Sequence, residues 1–231
     1  MNLYLWINVL TVVVLLIFSF NKKVHFYTHW KTLAPVIIFV CSLFIASDIY
    51  FTDLGVWGFN MDSLTGLLFF NLPIEEVLLF FTIPFASVFV YELIKAYFSK
   101  YSSVRVSYYF SLLFTLCCFI LAFVYYENTY TFSAMLGAGL LNWIVYFGFT
   151  PRWYPYFVIS YLFLQLFLLL VNGLIVHLGK TMVWYNENEI IGYKLFSIPI
   201  ESLFCNFMMF FSIVIVHEYL RKLWEKNIKS T

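Results

Sequence analysis

Seven apolar runs partition this chain, near residues 3–20, 32–51, 72–97, 107–126, 129–149, 155–175 and 198–220. A helix needs about 20 apolar residues to cross a hydrocarbon core, so the runs predict seven membrane-spanning helices. Composition agrees: 63% of the residues are apolar and 11% charged, where soluble domains carry about 25% charged residues. The expected fold is an all-α integral membrane protein. No basic segment precedes the first run and no small-residue cleavage site follows it, so it is expected to be retained as a helix. Net charge is +1 without a basic block, and nucleic acid is not an expected partner.

The cations are unevenly shared between the loops. Lys22, Lys23, Lys31, Lys95, Lys100, Arg105, Arg152, Arg221, Lys222, Lys226 and Lys229 fall on one side, and Lys180 and Lys194 on the other. By the positive-inside rule this predicts an N-terminus outside the cell membrane and a C-terminus in the cytoplasm.

A proline-acid signature is written twice, as Pro73-Ile74-Glu75-Glu76 and Pro199-Ile200-Glu201-Ser202. The shift of 126 between them also carries Asn60, Gly66, Phe70, Phe81, Phe85, Val88, Val90 and Glu92 onto Asn186, Gly192, Phe196, Phe207, Phe211, Val214, Val216 and Glu218. The chain is an internal duplication. A three-helix unit ends on the side opposite its start, so two parallel copies need one further helix between them. The predicted organisation is a repeat over 1–98, a linking helix within 99–127 and a second repeat over 128–231. Functional sites of such proteins tend to lie where the repeats meet.

Trp57-Gly58-Phe59-Asn60 corresponds loosely to Trp184-Tyr185-Asn186, with the tryptophan displaced by one. These segments read either as interfacial anchors or as two hairpins roofing a cavity. Ionised groups are costly in hydrocarbon, so acids repeated within spans are functional candidates. Glu75, Glu76 and Glu201 also suit a helix start, where proline loses no hydrogen bond and acids meet the positive end of the dipole. Duplication in sequence otherwise nearly free of charge favours function. Glu75 and Glu76 stand about 100° apart around a helix, so one is expected to face a cavity and the other to pack between helices. Apolar surroundings favour the neutral carboxyl, which can give a proton to a weak acceptor and later take one from a cation. Aromatic faces can stabilise that cation.

Several chemistries are excluded. No Gly-x-Gly-x-x-Gly, Gly-x-Ser-x-Gly or His-Glu-x-x-His occurs, and the aspartates are Asp48, Asp53 and Asp62, too few for a magnesium-diphosphate site. The seventh run has no lysine for a retinal Schiff base. Cys41, Cys117, Cys118 and Cys205 lack metal spacing and read as packing residues, and His25, His29, His177 and His217 read as membrane-edge residues.

The stretch Val56-Trp57-Gly58-Phe59-Asn60, Gly66 and Asn71-Leu72-Pro73-Ile74-Glu75-Glu76-Val77-Leu78-Leu79-Phe80-Phe81 resembles the first half of the heterodimer-type lycopene cyclases. Tyr185-Asn186, Glu189-Ile190-Ile191-Gly192 and Ile198-Pro199-Ile200-Glu201 resemble the second half. The chain is similar to the fused form with an added linking helix. It departs from the pattern at Ser202, where a second acid is common.

The resemblance implies cyclisation of a linear ψ end group of lycopene to a β-ionone ring, giving γ-carotene or β-carotene, without net redox, cofactor or metal. Glu75 or Glu76 is the implied proton donor, with Glu201 as partner or base. Asn60 and Asn186 would orient the carboxyls, and Asp48, at the end of the second run, is a further candidate. Trp57, Trp184, Phe80 and Phe81 would wall the cavity. The implied partners are lycopene and membrane lipid, with a homo-oligomer or an assembly with other carotenoid enzymes as a further expectation. Rival readings are a carotenoid hydratase and a proton-coupled transporter.

Overall fold

A computed structural model describes residues 3–21, 23–61, 64–98, 103–177 and 183–230. Lys22, Asp62, Lys100 and Lys180 lie outside the described residues. The helices are α1 (Leu3–Ser19), α2 (Trp30–Asp53), α3 (Ile74–Tyr97), α4 (Val104–Val124), α5 (Thr129–Asn142), α6 (Tyr154–His177) and α7 (Glu201–Ser230). Six described helical segments are long and apolar enough to cross a membrane, α5 through its π-helical extension Trp143–Phe147, so this is a multi-pass, predominantly helical membrane protein. α1 has 17 described residues, at the short end of what a span needs.

The all-helical expectation needs one amendment: three short antiparallel pairings sit at one end of the helices. β2 (Leu68–Phe69) pairs with β3 (Leu72–Pro73), and β5 (Lys194–Leu195) with β6 (Ile198–Pro199). Their registers, Leu68 with Pro73 and Lys194 with Pro199, differ by 126. The backbone repeats at the same interval. Gly66 (φ +80°) and Gly192 (φ +87°) adopt the left-handed conformation that glycine tolerates, as do Phe70 (φ 55°) and Phe196 (φ 49°) at the hairpin tips. The Ile74 amide bonds to the Leu67 carbonyl at 2.9 Å and the Ile200 amide to the Tyr193 carbonyl at 3.1 Å.

β1 (Trp57–Phe59) joins the two regions by pairing antiparallel with β4 (Val183–Tyr185), Trp57 opposite Tyr185 and Gly58 opposite Trp184. At Gly58 a Cβ would lie 2.4 Å from the Trp184 ring, so the indole rests on bare backbone.

Helix packing has the same reciprocity. α1 packs on α3 as α5 does on α7, while α2 crosses to α7 and α3 to α6. Between α3, α4, α6 and α7 lies an aromatic core, with Phe114 and Phe207 ring centroids 4.2 Å apart and Phe157 and Phe211 4.6 Å apart.

One buried amide ties α4, α5 and α6 together. The Asn142 Nδ2 donates to Ser111 Oγ and Thr115 Oγ1, both at 2.9 Å, and its Oδ1 accepts from the Tyr154 hydroxyl at 2.6 Å. Side-chain hydrogen bonds between membrane helices average about 0.6 kcal/mol each. Asn142→Ala should therefore cost about 2 kcal/mol, read as a lower unfolding midpoint in detergent. An unchanged midpoint would assign these contacts no net worth.

Candidate active site

The first turns of α3 and α7 begin beside their hairpins, which fixes where the repeated acids point. Glu75 is fully buried, and its Oε1 accepts the Thr65 amide at 2.7 Å. Glu201 is also fully buried, and its Oε1 accepts the Ile191 amide at 2.6 Å and the Thr131 hydroxyl at 2.7 Å. Thr65 and Ile191 are again 126 apart. Each carboxyl thus holds the loop that leads into its hairpin.

Glu201→Gln keeps an oxygen acceptor and should preserve the second loop, whereas Glu201→Leu strips the Ile191 amide of its partner. Limited proteolysis between residues 187 and 195 should accelerate several-fold in the leucine variant alone. Equal cleavage of both variants would separate Glu201 from loop retention.

Glu76, one residue on, turns elsewhere. It lines a cavity of about 260 Å³ together with Asp48, Phe51, Trp57, Phe80, Tyr130, Tyr185, Ser202 and Cys205. The walls come from α2, α3, α5 and α7 and are closed at the hairpin end by β1 and β4. Asp48 is 8% exposed and shares the cavity wall with Trp57. Trp57 meets Tyr130 edge to face at 4.8 Å, and Phe51 packs on both. Ser202, the counterpart of Glu76, lines the same cavity as Tyr130 and Tyr185. Burial, with Glu76 and Asp48 acting in the same direction, pushes the Tyr185 phenol above the ordinary tyrosine range, so it stays a neutral hydroxyl. The chamber therefore offers two carboxyls in a cavity lined by aromatic side chains.

Other expected site residues lie elsewhere. Glu75 and Glu201 are outside the residues lining the chamber. The Asn186 amide is bonded to the Val56 carbonyl at 2.8 Å, and its side chain accepts the Asn188 amide at 3.1 Å, which builds a turn. Asn60 is exposed at the end of β1. Trp184 lies over Gly58 and is 55% exposed, and Phe81 lines a separate apolar cavity between α1, α2 and α3.

A second polar cluster lies along α3, about 24 Å from Glu76 to Glu92 at the helical rise. Glu218 Oε1 accepts from the Tyr91 hydroxyl and from Lys95, both at 2.5 Å, and its Oε2 accepts from Arg221 at 2.7 Å. Glu92 Oε1 stands 3.1 Å from His217 Nε2 and 3.7 Å from Arg221. His217 is fully buried against Glu92. The triad Tyr91, Glu92 and Lys95 maps by 126 onto His217, Glu218 and Arg221. Glu92 and Glu218 already stood out in the shifted sequence; their cross-helix partners did not.

Fold and chamber together define a multi-pass membrane protein that can hold an apolar molecule against two carboxyls. The lycopene cyclase family model matches residues 1–94 and 127–220, two segments whose limits differ by the interval relating the hairpins, and the chain belongs to that family. No curated protein and no solved structure matches it. Family membership makes this a carotenoid cyclase of carotenoid biosynthesis, and such an enzyme takes a lipophilic carotenoid.

Proposed function

We propose that the chain is a lycopene β-cyclase, an isomerase of the intramolecular lyase type. The observation that carries this reading is the aromatic chamber with Glu76 and Asp48 in its wall. Glu76 gives its proton to the terminal double bond of a ψ end group, leaving a tertiary cation. The neighbouring double bond attacks that cation and closes a six-membered ring. A ring carbon then releases a proton to a chamber carboxylate, Glu76 itself or Asp48, and the substrate's formula is unchanged. Trp57, Tyr130 and Tyr185 present aromatic faces to the cation. A water-poor enclosure keeps the cation from capture as an alcohol. Glu75 and Glu201 act as positioning residues that hold the two loops.

The same reading extends to architecture: seven spans as two parallel repeats, 1–98 and 128–231, joined by a linking helix within 99–127. Its support is the 126-residue correspondence of hairpins, left-handed residues and buried glutamates. The N-terminus is outside and the C-terminus cytoplasmic, supported by Lys95 in the last turn of α3 and Arg221 near the end of the apolar span Glu201–Trp224 of α7, both away from the hairpins.

Expression in lycopene-accumulating cells with chromatography of the pigments tests the activity. β-ringed carotene is expected. A hydroxylated linear product would convert the reading to a hydratase, and unaltered lycopene would end it.

A further inference from the structure

The shift of 126 also compares how the helices of the two halves are covered. In the second half α4 lies on α5 and α6, and its Phe114 ring stands 5.3 Å from Phe204 and 4.2 Å from Phe207 of α7. Asn142 closes that seam through Ser111 and Thr115 of α4. The counterparts of Asn142, Phe204 and Phe207 in the first half are Leu16, Leu78 and Phe81. All three line the apolar cavity between α1, α2 and α3, which measures about 470 Å³. Its rim is open, with Leu16, Ile38 and Leu78 being 38%, 58% and 37% exposed.

A helix cannot fill this cavity as α4 fills its counterpart. α4 approaches α5 at Gly139, where an added Cβ would lie 2.9 Å from the Cys118 side chain, and Gly139 corresponds to Val13 of α1. Membrane helices close on one another through small residues and interhelical hydrogen bonds. α1 presents Val13 and Leu16 where α5 presents Gly139 and Asn142, so it offers neither. A flexible apolar chain can follow such bulky side chains, and the volume lies within the roughly 300–1,000 Å³ of pockets that enclose small molecules.

The cavity also makes one polar demand. The Thr82 hydroxyl in its wall is satisfied by the Leu78 carbonyl at 2.9 Å. Trp30, the first residue of α2, lines the cavity too, and its buried indole nitrogen has no acceptor among the described residues. An indole N–H can only donate, and when buried it ordinarily has a partner. A fitting ligand therefore carries a hydrogen-bond acceptor at one end of an apolar chain. A carotene lacks the acceptor. A glycerolipid has ester carbonyls at the head of its acyl chains, at the bilayer level that tryptophan favours.

We propose that the cavity between α1, α2 and α3 is a binding site for a membrane glycerolipid, with one acyl chain along Leu16, Ile38 and Phe81 and an ester carbonyl accepting the Trp30 N–H. The bound chain covers in the first half the seam that α4 covers in the second. This site is separate from the carboxyl chamber, whose wall takes Phe80 of α3 rather than Phe81, and it does not depend on the reaction proposed there.

The experiment uses the full chain in detergent with a phosphatidylcholine that carries a diazirine in its acyl chain. After irradiation and digestion, mass spectrometry should find adducts on the cavity-facing residues of α1, α2 and α3. Ala34→Phe puts a ring into the cavity from an exposed position and should abolish them. Unlabelled diester phosphatidylcholine should displace the probe about two- to tenfold better than its diether analogue, which lacks the carbonyls, a ratio set by the net worth of one hydrogen bond. Trp30→Phe keeps a ring without the N–H and should bring the two competitors level. Equal displacement by diester and diether lipid from the parent protein would overturn the proposal, as would undiminished adducts on Ala34→Phe. Displacement by lycopene as effective as by the diester lipid would overturn it in favour of the polyene. Disulfide-linked dimers of Leu16→Cys that block labelling would overturn it in favour of a second copy of the chain.

Discussion

Glu76→Gln should lower ring formation by about 10² to 10⁴, the range contributed by positioned proton transfer, with the helical fold retained. The amide preserves the size of the side chain but cannot deliver a carboxylic proton to an alkene carbon. Glu76 is half-buried in the chamber wall, and glutamine matches its size there. Glu75→Gln provides the contrast. Its remaining oxygen can accept the Thr65 amide, and because Glu75 does not line the chamber its loss of activity should be far smaller. Initial rates in lycopene-loaded liposomes, with helicity checked by circular dichroism, measure both. A Glu76→Gln protein as active as its parent would remove this residue as proton donor.

Glu218→Gln should cost about 3–5 kcal/mol of stability, the range for breaking one side of a buried ionic arrangement. Glu218 is 2% exposed and draws on Lys95, Arg221 and Tyr91 at once, so its neutral form removes the carboxylate that both Lys95 and Arg221 face. The diagnostic variant is the charge-balanced one. Adding Lys95→Met to Glu218→Gln removes one cation along with the anion, and most of the lost stability should return. Reversible unfolding in detergent measures the three proteins. If the double variant is less stable than the sum of the two single changes, charge balance is not what the cluster supplies.

Much of the hairpin framework is legible in the sequence because its backbone leaves few choices. Gly66 and Gly192 sit at left-handed positions, and Pro73 and Pro199 enter their helices from a short pairing, so duplication had to preserve them. The displaced tryptophan has a plain geometric origin. β1 and β4 pair about a centre at Gly58 and Trp184, which sets Trp57 against Tyr185 and lays the second indole across a glycine. The divergence of Glu75 and Glu76 was accessible from helical periodicity, but not which of them faced the chamber, since that depends on the crossing of α2 onto α7. Asn186 stands apart for a different reason: its side-chain oxygen accepts the Asn188 amide, which places it in a turn outside the residues lining the chamber. The ionic cluster escaped because its partners lie on two helices far apart in sequence. His217 and Glu92 are 125 residues apart.

That separation has a temporal side. The α3 segment leaves the ribosome with Glu92 long before α7 brings His217 and Arg221, and at about 5–20 residues per second the interval is roughly 6–25 s. During biogenesis the nascent chain must shelter an acid whose cross-helix partners have not yet been synthesised. Lys95, one turn along the same helix, is the only one of the cluster's lysine and arginine side chains available for that wait.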